Sequence, residues 1–180
     1  MEYKVTNPDL IQEGVWDEKS CVRRQGGYDI DKSKLPAGLA YLPKGAVLAF
    51  LAESGKVAAV KTAKVVEEAA SGTKVKIDKA NIIVVGDVIG GLTVSAIDRS
   101  NASYDVLTVS SISEKLNIGD VIADANVSNV CGLNYATVKL DSYPSCTPTI
   151  QAYEIEEDTL PYPINNAIKE ALTVRHAFKL

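Results

Sequence analysis

Apolar residues in this chain follow several spacings in turn, and each spacing predicts a different kind of element. Over the first forty residues they follow no period. "NPDL", "RQGGYD" and "KLPAGL" are turn chemistry, rich in Pro, Gly and Asp. Residues 1–35 therefore read as an extended N-terminal arm that must lie against something, its own body or a neighbouring subunit. From Pro43 the texture changes. "GAVLAFLA" and "VAAVKTAKVVE" flank "ESGK", which is a hairpin signal. "EEAASGTK" reads as a helical turn or a loop, and "KVKID" alternates with the period of a half-buried strand. "NIIVVGDVI" is a β-branched run broken by Gly86-Asp87. "GLTVSAID" and "YDVLTVSS" predict strands around "RSNAS", and "YATVKLD" and "TIQAYEIE" predict two more.

Near the end the period changes again. Ile164, Ala167, Ile168, Ala171 and Leu172 form an amphipathic stripe, which predicts a helix over 163–172 with Pro163 in its first turn. "VRHAF" then alternates like a short final strand. About eight to ten strands followed by a late helix predict a mainly β fold, a small barrel or sandwich of clip-like form. The body spans 36–180 and divides into a core over 36–130 and a C-terminal extension over 131–180.

The chain writes Gly-Asp-Val-Ile twice, at 86–89 and 119–122, each time behind an apolar residue. Glycine supplies a backbone conformation that other residues reach only with strain, aspartate caps the turn, and Val-Ile re-enters a sheet. A phosphate loop would need Gly-Lys-Ser/Thr opening a helix, and both glycines lead into strand-forming residues instead. The repeat therefore reads as two copies of one strand–turn–strand unit.

Composition adds exclusions. Net charge is −4, so there is no basic surface to attract nucleic acid or an anionic membrane at long range. No apolar run reaches the ~18 residues of a membrane span, and "MEYKVTNPDL" lacks the pattern of a signal peptide. Cys21, Cys131 and Cys146 are widely spaced. A Cys131–Cys146 disulfide is conceivable, and free thiols are the better expectation. With His176 as the single histidine, no zinc site is expected. "DIDKS" at 29–33 begins like a calcium loop, but Lys34 and Ala40 stand where glycine and glutamate belong. His176 as a general base would need a hydroxyl and an orienting acid from distant residues. "EIEED" at 154–158 reads as a solvated acidic face. No catalytic residues, cofactor or metal are expected.

The stretch "LPKGAVLAFLAESGKVAAVKTAKVVEEAASGTKVKIDKANIIVVGDVIGG", continued by "SAIDRSNASYDVLTVSS" and "NIGDVIAD", resembles the head fibre and head decoration proteins of tailed bacteriophages and prophages. The likeness covers residues 36–125, with an echo in "LPYPINNAIKEAL", and leaves the arm unmatched. It implies a non-catalytic structural protein on the virion surface, assembled in the host cytoplasm. Its partners would be the capsid protein and itself, as a dimer or trimer, with neither nucleic acid nor membrane. Trp16, Arg23 and Arg24 are the expected capsid-facing or intersubunit residues of the arm. Two other classes compete: a glycan- or surface-binding β-sandwich with aromatics converging in a groove, and a nucleotide hydrolase on a clip-like fold. For the second, "GLNYATVKLD" is the nearest approach and its partner segments are missing.

Overall fold

The computed structural model of the protein describes residues 14–172 and 175–179. In chain order its strands are β1 (Val22–Arg23), β2 (Tyr28–Asp29), β3 (Tyr41–Leu42), β4 (Val47–Leu51), β5 (Lys56–Ala59), β6 (Thr62–Lys64), β7 (Lys74–Ile77), β8 (Val88–Ile89), β9 (Leu92–Asp98), β10 (Asp105–Val109), β11 (Val121–Ala123), β12 (Val130–Leu133), β13 (Val138–Lys139), β14 (Ser145–Cys146), β15 (Thr149–Ile155) and β16 (His176–Phe178). The helix α1 (Asn166–Leu172) lies between the last two. The protein is mainly β, with a curled half-barrel sheet and one short C-terminal helix.

The half-barrel holds the first core. Its antiparallel order is β7-β10-β9-β8, and β11 pairs with β6 beside it. Single bridges, Val65 to Ile77 and Ile89 to Asp124, join the two sheets at both edges. Alternation decides which side chains face inward: along β10, Asp105, Leu107 and Val109 are buried while Val106 and Thr108 are half-buried. Val65, Val75, Ile77, Ile83, Ile89, Val94 and Leu107 fill the interior. Each such side chain contributes about 1.5–3 kcal/mol by leaving water.

The expected hairpin is present, with β4 antiparallel to β5. Its second apolar run does not continue as one strand. It pairs with β4 through Ala59, and then Thr62–Lys64 leave to pair with β11. The same run thus serves two sheets. "EEAASGTK" is a loop, held by a bridge from Ala69 to Leu116. Ile82 and Ile83 are buried without belonging to a strand, because the chain there crosses the core instead of lying in a ladder.

The rest of the chain gathers around β15. That strand takes β1 antiparallel on one side and β16 parallel on the other, with α1 as the crossover. The helix begins at Asn166, three residues later than the apolar stripe predicts. Asn165 sets the boundary: its side-chain oxygen accepts from the Ile168 N–H at 3.0 Å, the geometry of an N-cap. Ile164, Ile168 and Leu172 then pack with Val47, Leu133, Ala152 and Ile155 in a second core, which also contains Val15 and Trp16. A third core, with Ile30, Leu42, Leu48, Val57 and Ile82, lies beneath β2, β3 and the hairpin.

From Gly14 onward the arm lies against its own body. The Val15 carbonyl accepts from Glu156 N–H, the Tyr153 carbonyl accepts from Asp17 N–H, and β2 pairs with β14. The earlier part of the arm, 1–13, lies outside the described residues.

Candidate ligand-binding groove

The two Gly-Asp corners are the same object built twice. In the first, the Asp87 N–H donates to the Val84 carbonyl at 3.2 Å, and the Val84 N–H donates to the Asp87 carboxylate at 2.7 Å. In the second, Asp120 and Asn117 repeat both bonds at 3.2 and 2.7 Å. Gly86 and Gly119 take φ of 94° and 92°, as the third position of this turn requires. Each corner then clamps one residue of a neighbouring strand. Gly86 N–H and Asp87 C=O bracket Val94, and Gly119 N–H and Asp120 C=O bracket Val65, all four bonds at 2.8 Å. In both repeats the turn and the clamp are made to backbone groups.

One difference separates the copies. Asp87 also pairs with Lys61 at 2.6 Å, and Lys61 is almost wholly buried and reaches the Lys34 carbonyl as well. Among the described residues, Asp120 has no such cation. Replacing Asp120 by alanine is therefore expected to cost about 1 kcal/mol, the worth of a turn hydrogen bond. The same change at Asp87 should cost about 2–3 kcal/mol, because it strands a buried ammonium. Urea denaturation of the two variants checks the ordering. Equal losses would mean that the buried lysine contributes nothing.

Among the described residues, His176 meets a hydroxyl but no acid. Its Nδ1 lies 2.7 Å from the Leu172 carbonyl and so carries the proton. Its Nε2 then accepts from the Thr149 hydroxyl at 3.0 Å, and that hydroxyl accepts from the Leu133 N–H at 3.0 Å. Thr149 is 0% exposed, so no substrate reaches the oxygen. The imidazole is a tie between β16, β15 and the end of α1. Burial holds its pKa below the ordinary 6.5, against a smaller upward pull from the Leu172 carbonyl.

The unfolded chain thus binds a proton at His176 that the folded protein resists. Stability contributed by the neutral imidazole is full above pH 6.5 and is lost as pH falls below it. Asp78 and Asp124 are raised by burial and act in the opposite direction, gaining stability on acidification. The expected result is that His176→Gln flattens the loss of stability between neutral pH and the carboxylate range. Thermal unfolding across that range measures it, and an unchanged pH slope would contradict it.

Other sequence candidates are ordinary surface. Asp31 of "DIDKS" accepts from the Ser33 N–H at 3.0 Å and caps a single 3-10 turn over Lys32–Lys34. In "EIEED", Glu156 pairs with Lys179 at 2.8 Å and Glu157 with Lys169 at 2.5 Å. Among the described residues, no group of three His, Cys, Asp or Glu side chains is arranged to hold a metal ion. All three cysteines are free thiols. Burial pushes Cys131 up to about 11 and Cys146 up to about 12, so neither is a reactive thiolate at neutral pH.

Of the three arm residues, Trp16 is 4% exposed and belongs to the second core, with Lys44 Nζ 4.6 Å above its ring. Its ring is buried within this chain as a packing residue of that core. Arg23 and Arg24 are exposed. They line a groove of about 730 Å³ together with Gln25, Cys131, Gly132, Arg175 and His176. The β1–β15 pairing puts Arg23 opposite Thr149, and the Arg24 N–H donates to the Pro148 carbonyl. The β15–β16 pairing sets Arg175 beside the middle of β15, where its carbonyl accepts from the Ala152 N–H at 3.0 Å.

A second hollow of about 380 Å³ shares Arg24, Val130 and Cys131 with the first and continues to Tyr28, Phe50, Val57 and Pro148. There the Tyr28 and Phe50 rings meet edge to face, with centroids 6.3 Å apart. The two hollows make one groove with a cationic end and an aromatic end. Among the described residues, no Asp or Glu lines either end, although acids outnumber bases by 23 to 19 in the chain. No described carboxylate forms an ion pair with Arg23, Arg24 or Arg175; Arg23 instead lies 5.1 Å over the Tyr135 ring. Guanidinium groups left in this state are receptive to a carboxylate or phosphate.

Sequence reasoning singles out Arg23 and Arg24 but not Arg175, Tyr28 or Phe50. Nothing local marks them, since they lie far apart in the chain and are joined only by β15 and the hairpin. The class defined here is a small, mainly β protein with an exposed arginine–aromatic groove. Comparison of the chain with protein-family models, with curated proteins and with solved structures gives no match.

Proposed function

We propose that this chain is a non-catalytic structural protein that attaches to the outside of a phage or prophage capsid, as a head fibre or decoration, and stabilises or decorates the shell. The observation that carries the reading is where the resemblance falls. Residues 36–125 coincide with the hairpin and the half-barrel, and the Gly-Asp repeats inside that stretch spend their polar atoms on strand corners. The protein works by contact: a subunit that binds only the assembled shell stabilises it by its binding free energy. Its partners are the capsid protein and other copies of itself, and its place is the virion surface.

The test is proteomic. Particles released by prophage induction of the source strain are purified on a density gradient and analysed by mass spectrometry. The chain is expected to co-sediment with the major capsid protein in a fixed ratio. Its absence from intact particles while it is abundant in the lysate would overturn the reading.

A second reading, a glycan- or surface-binding module, draws on Tyr28 and Phe50 converging at one end of the groove. Aromatic faces at an open cleft suit sugar rings. Specific retention on a glycan array, lost in Phe50→Ala, would favour this module over the capsid protein.

A further inference from the structure

Two of the three cysteines meet in the third core. Cys131 lies in β12, half-buried, and lines both hollows of the groove. Cys146 lies in β14 and is 2% exposed. Both pack with Ile30, Leu48 and Val57, whereas Cys21 packs against the second core.

Strand register sets the two thiols on one face. β14 pairs with β2 so that Cys146 stands opposite Tyr28, and residues directly opposite each other project to the same side of a sheet. Tyr28 in turn lines the smaller hollow together with Cys131 and Pro148. Cys146 therefore lies beneath the hollow whose wall carries Cys131. A second pairing leads to the same place. Beyond β12, Asn134 bridges antiparallel to Pro148, and the Tyr135 N–H donates to the Thr147 carbonyl at 3.0 Å. Electrostatics agrees: burial is the main cause that raises the Cys146 thiol, and charge on Cys131 raises it further.

We propose that Cys131 and Cys146 are a redox pair, which closes to a disulfide within the folded protein when a low-molecular-weight disulfide such as oxidised glutathione is supplied. Cys131 is the entry, because it faces the groove and Cys146 is covered. Its thiol also titrates lower, at about 11 against about 12, with Arg24 offsetting part of the effect of burial. The Cys131 thiolate attacks one sulfur of the small disulfide, and one small thiolate leaves. The Cys146 thiolate then attacks Cys131 Sγ in the mixed disulfide, and the second small thiolate leaves. Two cysteine thiols are oxidised, the small disulfide is reduced to two thiols, and the two cysteine protons end on those products. The new bond closes the excursion over 132–145 at its base. That excursion carries β13 and the 92% exposed Tyr143. The inference goes beyond the proposed function and holds with or without a capsid.

The experiment treats the folded full chain with excess oxidised glutathione, quenches it with an alkylating agent and maps the peptides by mass spectrometry. A Cys131–Cys146 linked peptide is expected. Its rate of formation should rise about tenfold for each pH unit from about 7 to about 10, because both thiols are mostly protonated over that range. In Cys146→Ser the glutathione adduct should persist at Cys131, since nothing resolves it. The oxidised parent should unfold at a higher urea midpoint than the reduced parent, because the bond restricts the unfolded chain, and a reductant should reverse the shift. Cys131→Ser should show one midpoint with and without oxidant.

A stable glutathione adduct at Cys131 of the folded parent overturns the inference, because it shows that Cys146 cannot reach it. So does a linked peptide that forms only in urea, or a chain whose two thiols stay fully alkylatable after oxidation. None of these outcomes bears on attachment to particles, which is read from purified virions.

Discussion

Replacing Gly132 by alanine is expected to remove about 4 kcal/mol or more of stability, among the largest losses a single methyl group causes. Gly132 lies in β12 at φ 149°, and an added Cβ would stand 2.0 Å from the Thr149 carbonyl oxygen. That oxygen is backbone and cannot swing aside. The register of β12 against β4 slips between Val130 and Gly132. Separating the two strands would also break the Leu133 N–H bond to the Thr149 hydroxyl and, with it, the His176 tie. Urea denaturation measures the loss. A variant within about 1 kcal/mol of the parent would show that the close approach of β12 to β15 is not needed for the fold.

The second large effect lies in the half-barrel sheet. Asp105 is 0% exposed at the start of β10, with Lys79 Nζ at 2.5 Å, Arg99 at 3.3 Å and the Asn81 amide at 3.1 Å. Arg99 also donates to the Ile83 carbonyl, so one carboxylate organises the crossing from Asp78 to Ile83 and the end of β9. Breaking a buried pair of this kind costs about 3–5 kcal/mol. Lys79 and Arg99 are 38% and 46% exposed and can turn to water, so Asp105→Ala is expected near the lower figure. Asp78 provides an independent readout. Its carboxyl is raised above the ordinary 3.8 chiefly by burial, with a contribution from the Asp105 charge. In Asp105→Asn its pKa should fall back towards the ordinary value, measurable by NMR titration. An Asp78 that titrates unchanged would mean that the two carboxylates do not sense each other.

How far the sequence announces this structure depends on whether the signal is local. The hairpin, the alternating strands, the amphipathic helix and both Gly-Asp turns are legible because period and turn chemistry act over a few residues. The departures come from long-range competition. "VAAVKTAKVVE" reads as one strand but divides between two sheets, because β4 pairs through Ala59 and β11 takes Thr62 to Lys64. Ile82 and Ile83 have the composition of a strand and are buried without a ladder. Trp16 sits in a stretch with arm-like texture, yet it is a core residue, since burying its ring outweighs the irregular chain around it. Of the groove, only Arg23 and Arg24 are visible in advance. Arg175, Tyr28 and Phe50 join them through strand pairing that no local pattern encodes.

The repeated Gly-Asp corners remain the pivot between a contact protein and one that binds a ligand at its turns. Gly86 and Gly119 have no atom within 4 Å of where a Cβ would stand, so only their positive φ constrains them. Chemical ligation can place D-alanine, which favours positive φ, or L-alanine, which resists it, at each position. The measurement is the unfolding free energy of these variants. If the corners serve backbone alone, L-alanine lowers stability by about 1 kcal/mol or more at each position, and D-alanine preserves it or adds about 0.4–1 kcal/mol by restricting the unfolded chain. Equal losses from both enantiomers would mean that the space beside the glycines is needed for something else, and would contradict the reading of the repeat as architecture.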